Sequence, residues 1–206
     1  MTPLVLIGGG GHCRSCIDVI ESTKFYEVFG IVGEIDGDSK PVLGYPILGT
    51  DEALSGLLQD YPMALITVGQ IKTPELRKRL YQMVQDKGGT FPVVVSSRAY
   101  VSGRAEVGAG TIVMHGAALN VGASVGINCI INSQALVEHD TEIGSHSHIS
   151  TGARVNGGVS IGEGTFLGSG VVVNQGITIG NNCVIASGAV IRSDVPEGTQ
   201  VRGEWQ

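Results

Sequence analysis

The chain has 206 residues, a formal net charge of −6, 42% hydrophobic residues and 5% aromatics. Its 32 glycines are roughly twice the usual share of about 7%, but there is no Gly-X-Y period and the apolar content is too high for a disordered chain, so collagen and disorder are both excluded. The acidic balance argues against nucleic acid as a partner. No apolar run approaches the ~20 residues that span a bilayer, and Met1-Thr2-Pro3 lacks the opening of a secretory signal; the expectation is a cytoplasmic protein with no membrane partner.

In chain order, Pro3-Leu4-Val5-Leu6-Ile7 is an apolar run ending in Gly8-Gly9-Gly10-Gly11, a buried strand entering a tight turn. Residues 12–22 read as a helix with Ile17, Val19 and Ile20 on its apolar side. Residues 27–32 read as a second strand, 51–59 as a helix capped by Thr50, and 63–68 as a third strand. Thr73-Pro74-Glu75 opens a helix that runs to about residue 86, because threonine caps, proline suits the first turn and an acid favours the helix N-terminus. Residues 91–95 form a short last strand. Strands alternating with helices predict a small parallel α/β sheet, with this first domain covering residues 1–97. No lysine follows Lys87.

Beyond residue 98 the pattern changes to a six-residue repeat. Stepping by six from Val101 meets sixteen consecutive aliphatic residues, ending at Ile191. Four residues after each aliphatic stands a small or β-branched residue, from Ala105 and Thr111 to Cys183 and Ala189. Glycine often follows the aliphatic, as at Gly108, Gly126, Gly144 and Gly162. Each unit is one short strand plus a turn, three units make a coil, and the aliphatics stack inward to form a triangular prism of about five coils. The small residues fill the corners, and the glycines are expected to supply turn conformations closed to other residues.

Cys13-Arg14-Ser15-Cys16 has CxxC spacing, but Cys129 and Cys183 offer no second pair for zinc. These cysteines are expected to be small apolar groups on a buried helix.

Several residues stand out chemically. The loop Gly8-Gly9-Gly10-Gly11-His12 lets backbone N–H groups approach a phosphate at a helix N-terminus. It matches neither the dinucleotide fingerprint nor a P-loop, so Gly9, Gly10, Gly11 and His12 are candidates for an anion other than a dinucleotide or ATP. Asp36 and Asp38 follow the second strand, where ribose or base contacts fall in related folds. His139 and Asp140 interrupt a bland turn pattern; an imidazole can take a proton near neutral pH, and an adjacent carboxylate can fix its tautomer. His146 and His148, two apart on a strand, would share a face and make a metal conceivable, without an evident third ligand. His115 has no obvious partner.

These residues together resemble the sugar O/N-acyltransferases of the hexapeptide-repeat superfamily, the group of sialic acid O-acetyltransferases and nucleotide-linked 4-amino-sugar N-acetyltransferases of bacterial glycan assembly. The resemblance spans nearly the whole chain. It rests on the Gly-Gly-Gly-Gly-His loop, on residues 43–49 (LGYPILG), on residues 132–140 (NSQALVEHD) and on residues 156–162 (NGGVSIG). It implies a left-handed parallel β-helix over residues 98–206 and a homotrimer with acetyl-CoA between neighbouring prisms. It also implies a first domain that holds a nucleotide-diphospho-amino sugar through Gly9, Gly10, Gly11, His12 and Asp36. By the same resemblance His139 is the base and Asp140 its orienting acid. His148 lies near the thioester, and Asn132, Gly157 and Ser187 contact acetyl-CoA, the latter two through backbone N–H groups. No metal is implied. Two departures accompany it. Paired aspartates directly after the second strand are replaced by Gly33-Glu34, and the chain ends in Val201-Arg202-Gly203-Glu204-Trp205-Gln206 without the usual segment near CoA. Arg192 or Arg202 is left to meet the 3′-phosphate.

The function so implied is direct acetyl transfer from acetyl-CoA to the 4-amino group of a nucleotide-linked 4-amino-4,6-dideoxy sugar. The alternatives are O-acetylation of a sialic-type sugar, a trimeric scaffold without activity, or a metal protein like the γ-class carbonic anhydrases built on His139, His146 and His148.

Overall fold

The computed structural model describes residues 1–33 and 40–206, so Asp36 and Asp38 lie outside the described residues. The chain opens with β1 (Thr2–Ile7), α1 (Gly11–Thr23) and β2 (Tyr26–Val32). It continues through β3 (Ile47–Gly49), α2 (Leu54–Asp60), β4 (Ala64–Ile66) and α3 (Glu75–Asp86). The strands form a parallel sheet in the order β3-β2-β1-β4. β1 is an unbroken apolar run because both faces of a central parallel strand are covered. Leu4 and Leu6 pack with Cys13, Cys16, Ile17 and Ile20 of α1. Val5 and Ile7 point the other way, against Leu54, Leu58, Leu80 and Val84 of α2 and α3. Cys13 and Cys16 are wholly buried, unpaired packing residues, as the composition suggested. β3 escaped the sequence because three half-buried residues carry no readable period. Thr73 does assist the start of α3, its Oγ1 accepting from Glu75 N–H at 3.3 Å, whereas Thr50 precedes a single 3₁₀ turn without a side-chain cap.

The strand expected at residues 91–95 does not complete this sheet. Val94–Val95 pairs with Ile112–Val113 of the repeat region. Its first residue is wholly buried in the cluster that holds α1, together with Ile112, Met114 and Ile130. The α/β lobe and the prism therefore share one apolar layer, and burial against α1 decides where this segment goes.

From there the chain winds through three parallel sheets of two-residue strands. Among the described residues the first face has seven strands, from Val94–Val95 to Gln200–Val201. The second has six, from Tyr100–Val101 to Val190–Ile191, and the third five, from Glu106–Val107 to Thr178–Ile179. Up to Ile191 each inward aliphatic sits in register on the one eighteen residues before it, as Ile143 does on Val125 and Ile161 on Ile143, while the last coil is shorter, Val201 pairing with Ile185. From Val113 to Ile191 the inward aliphatics are at most 3% exposed, each contributing about 1.5–3 kcal/mol by removal from water. Trp205 closes the top, bridging to Ile191 and donating from Nε1 to Asp194 O at 3.0 Å.

The glycines that follow the aliphatics are not turn residues in the left-handed region, contrary to expectation. Gly108, Gly126 and Gly144 have ordinary φ, and a Cβ on any of them would come within about 2.5–2.7 Å of the backbone of the next coil. They are there for close approach. The left-handed turn position falls two residues later, at Gly110, Gly122, Gly158 and Gly170, and it also admits Asn128, Gln134, Asp140, His146 and Asn182.

The lobe is tied to the first face and its corners by polar contacts. Arg77 of α3 is 1% exposed and donates to Ile66 O, Val68 O, Asn128 O and Asn128 Oδ1. Burial lowers its pKa to about 10, which leaves it charged at neutral pH. His115, expected to lack partners, has two: Ser96 donates its hydroxyl proton to Nδ1 at 2.5 Å, and Nε2–H donates to Asp18 of α1 at 2.8 Å.

Candidate active site

The candidate residues fall into three groups. The first surrounds a cavity of about 540 Å³ at the carboxyl ends of the four strands, where ligands of open parallel sheets bind. Gly8, Gly9 and Gly10 form its floor, Val32, Val42, Ile47, Val68 and Leu80 its apolar walls, and Lys40, Asp51 and Arg79 its charged lining. Gly8 has φ +104°, and a Cβ there would overlap Val68 Cγ2, so no other residue fits. A Cβ on Gly10 or Gly11 would meet nothing within 4 Å; this end of α1 is open, and its free N–H groups suit an anion. The sequence did not single out Lys40, Asp51 and Arg79, because nothing in their local pattern shows that three separate segments converge.

His12 does not line this cavity. Its ring turns toward the prism, 6.5 Å from the His148 ring, and its Nε2 is buried without a protein partner. Burial, with Arg77 and His148 adding to it, lowers its pKa to about 4. His12 is the second residue of α1, and its side chain leaves the helix on the side of His148, away from the cavity that Gly8, Gly9 and Gly10 line.

The second group is this seam. His148 is 6% exposed on the first face. Its Nδ1–H donates to Gln70 O at 2.7 Å, and its Nε2 accepts from Asn132 Nδ2 at 3.1 Å. Burial lowers its pKa to about 4, so the ring is neutral with both nitrogens engaged and is unsuited to act as a base. Asn132 Oδ1 accepts from Ser133 N–H at 2.7 Å, which leaves the second Nδ2 hydrogen uncommitted. The corner above carries hydroxyls, with Ser150 and Ser169 Oγ 3.1 Å apart, and the exposed Ser187 stands two coils above Ser150–Thr151 on the same corner.

The third group lies on another corner, between the second and third faces. His139 and Asp140 follow Leu136–Val137, and His139 Nδ1–H donates to Asp140 Oδ2 at 3.0 Å. Both side chains are exposed, by 60% and 75%. Asp140 occupies the left-handed turn position at φ 55°. A Cβ on Gly122, one coil below, would lie 2.5 Å from Asp140 Oδ1, and a Cβ on Gly157, one coil above, 2.5 Å from His139 Nε2. Glycines above and below make room for the pair. With Nδ1 protonated toward the carboxylate, Nε2 presents a lone pair to solvent, the tautomer a general base requires. Glu138 Oε2 accepts from His139 N–H at 3.3 Å and from Asn120 Nδ2 at 2.9 Å. The eighteen-residue coil puts Asn120 beside Glu138, a signal present in the repeat.

His146 and His148 do not share a face. His146 sits at a left-handed turn, φ 59°, not on a strand. Its Nδ1 accepts from Asn128 Nδ2 at 2.9 Å, and its ring meets Tyr81 edge-on. Among the described residues no group of three or more His, Cys, Asp or Glu is placed to hold a metal ion, and His139, His146 and His148 are spread over two corners and a face. Arg192 pairs with Glu204 at 2.9 Å.

Residues 3–84 match the PglD N-terminal domain, and residues 158–193 match the bacterial transferase hexapeptide (six repeats). No curated protein matches the chain. Among solved structures, a perosamine N-acetyltransferase variant from Caulobacter crescentus in complex with CoA and GDP-perosamine is 33% identical, with a TM-score of 0.90 over 97% of this chain and 93% of its own. The acetyltransferase domain of PglB from Neisseria gonorrhoeae FA1090, in complex with acetyl coenzyme A, is 30% identical, with a TM-score of 0.88 over 96% of this chain and 94% of its own. WeeI from Acinetobacter baumannii AYE, 22% identical, has the same fold at a TM-score of 0.86 over 97% and 96% of the two chains. Such identity over nearly full length, with an α/β lobe on a left-handed parallel β-helix, establishes that this chain belongs to the sugar O/N-acyltransferase family of the hexapeptide-repeat superfamily.

Proposed function

We propose that the protein transfers the acetyl group of acetyl-CoA to the 4-amino group of a nucleotide-linked 4-amino-4,6-dideoxy sugar, in the cytoplasm, for bacterial glycan assembly. The observation that carries this reading is the His139–Asp140 pair, with Gly157 against a free Nε2 and Gly122 against the carboxylate. The similarity to enzymes crystallised with CoA, GDP-perosamine and acetyl coenzyme A supports both substrates.

In this reaction the amine attacks the thioester carbonyl while His139 Nε2 accepts its proton, and Asp140 stabilises the imidazolium that results; the tetrahedral intermediate then collapses with cleavage of the C–S bond, and CoA leaves as the thiol by taking that proton, which returns His139 to its neutral form. Backbone N–H groups and the uncommitted Asn132 N–H are donors suited to the oxyanion. Gly9 and Gly10, with the open end of α1 at Gly11, hold the diphosphate, and Lys40 and Arg79 add charge. His139 and Asn132 stand on different corners of one prism, so one chain does not bring the base to the Asn132 corner. That separation favours a homotrimer in which the second-to-third corner of one prism meets the first-to-second corner of its neighbour, with acetyl-CoA between. The four cysteines are buried, and among the described residues the sulfurs of Cys129 and Cys183 meet backbone carbonyls and not an imidazole, which favours direct transfer over an acyl-enzyme.

A thiol-release assay with nucleotide-linked amino sugars and with free sialic acid tests the reading. The expected result is turnover with the amino sugar only. It should fall at least ~100-fold in His139→Ala, the range of general-base catalysis; a rate near wild type in that variant rules out His139 as the base.

A further inference from the structure

The corner that carries His139 repeats one residue type. In its middle coils the residue after each inward aliphatic is Asn120, Glu138, Asn156 and Asn174, in order up the prism. Each stands one coil above the last, because Leu119, Val137, Val155 and Val173 are paired in register. Asparagine suits the corner: Asn120 Nδ2 donates to Glu138 Oε2 at 2.9 Å, and Asn156 Nδ2 donates to Val173 O at 2.8 Å. Of these four residues only Glu138 is a carboxylate, and it is the one beside the base.

The fold does not need that charge. Glu138 Oε2 accepts from His139 N–H at 3.3 Å, but neutral groups satisfy the same N–H of the repeat elsewhere: Asn132 Oδ1 at Ser133, Ser145 Oγ at Ile127 and Asn181 Oδ1 at Glu163. Nor does the protein neutralise it. Among the described residues Glu138 Oε1 makes no hydrogen bond, and no lysine or arginine pairs with Glu138. Arg154, opposite Leu136 one coil above, makes no ion pair with it. Asp140 differs, since its carboxylate is committed to His139 Nδ1–H. Glu138 is thus a half-buried carboxylate next to the base, held at Oε2 by two donors and open at Oε1. Removing an anion from water without a partner is unfavourable, and the partner suited to it is a cation brought by a substrate.

We infer that Glu138 binds the ammonium group of the acceptor sugar through Oε1, and so selects an amine over a hydroxyl at the reacting carbon. This inference rests on the amino-sugar reading above. An alkyl amine is mostly protonated at neutral pH, and its charge-assisted hydrogen bond to a carboxylate is one that a hydroxyl does not reproduce. Before attack one N–H bond of the ammonium breaks and its proton passes to solvent, which reaches this exposed turn. The neutral amine keeps its hydrogen bond to Glu138 and delivers its next proton to His139 Nε2 as the new C–N bond forms. Glu138 touches the acceptor and takes up no proton, so its part is recognition.

Calorimetric titration of the full chain tests this. A 4-amino-4,6-dideoxyhexose linked to UDP, dTDP or GDP is compared with the 4-hydroxy-6-deoxyhexose of the same nucleotide and configuration. In at least one such pair the wild-type protein should bind the amine ~10-fold or more tightly than the alcohol, the range of a hydrogen bond to a charged group. Glu138→Gln should bring the two within about twofold by weakening the amine alone. Glu138→Asn should do the same with the melting temperature kept, because neighbouring coils carry asparagine at this position. Asp140→Asn should retain the preference, since that carboxylate serves His139. Equal affinities in the wild-type protein overturn the inference, as does a preference that survives both Glu138 variants. An equal loss of affinity for amine and alcohol also overturns it, because that marks damage to the corner. A wild-type protein that prefers the amine but releases no thiol from acetyl-CoA upholds the inference and refutes the transferase reading.

Discussion

The imidazole Nε2 of His139 lies over Gly157, one coil above it, where a β-carbon would approach to 2.5 Å. Gly157 has ordinary φ, so alanine fits the backbone and meets only the far end of a side chain. Gly157→Ala should therefore displace the ring while leaving the fold intact. The expected result is a loss of roughly tenfold or more in kcat, since small misplacements of a reacting group are costly, with a melting temperature within a few degrees of wild type. Thiol-release kinetics and calorimetry check the two halves; full activity would mean that Nε2 is not the reacting atom.

Asp140 combines a left-handed backbone with a bond to His139. Asparagine occupies the same turn position at Asn128 and Asn182, so Asp140→Asn keeps the turn and removes only the charge. Losing the carboxylate frees the tautomer and removes the partner of the imidazolium. The turnover number should drop roughly 10- to 100-fold with the urea midpoint unchanged. A loss of stability comparable to the loss of activity would indicate a structural role for the pair.

The two classes of glycine predict different costs. At Gly126 a Cβ would sit 2.6 Å from Ser145 N in the next coil, and backbone cannot yield as a side chain does. Gly126→Ala should destabilise by on the order of 3 kcal/mol, the upper range of overpacking. At Gly170, φ 69° with open space around it, alanine meets only backbone strain, about 1 kcal/mol. Urea unfolding of both variants checks the order; equal costs would contradict the close-approach assignment.

Gly10→Val should act on one substrate alone. The added side chain points into open space at the cavity floor, so the fold has nothing to lose there, while a ligand anion loses its approach to the α1 terminus. The KM for the nucleotide sugar should rise at least roughly tenfold with that for acetyl-CoA unchanged, as read by varying each substrate in turn.

Acid should weaken the joint between lobe and prism. His12 and His148 have pKa values lowered to about 4, chiefly by burial, against about 6.5 when unfolded. Depressed values mean that the unfolded chain binds these protons first. Stability is complete above pH ~6.5 and declines as pH falls toward 4, by an amount on the order of a few kcal/mol. Denaturation midpoints at pH 7.5, 6.5, 5.5 and 5 should decrease in order, and His148→Gln should flatten part of the slope. A midpoint constant over that range would show that the two rings are not held neutral by the fold.

Much of this molecule is determined by its sequence because its order is periodic. A prism whose inward residues recur every six positions can be read without distances, and the same period puts Asn120 beside Glu138 and Gly157 beside His139. The adjacent His139 and Asp140 could be paired by inspection, since one turn carries both. The remainder depended on contacts between segments that no period relates. Ser96 and Asp18 meet at His115, and Lys40, Asp51 and Arg79 converge on one cavity. His12 turns from the glycine loop to His148, and Val94–Val95 leaves the α/β sheet for the prism. Each is settled by burial and close packing in three dimensions, where a local pattern fixes which face a side chain takes but not what lies across from it.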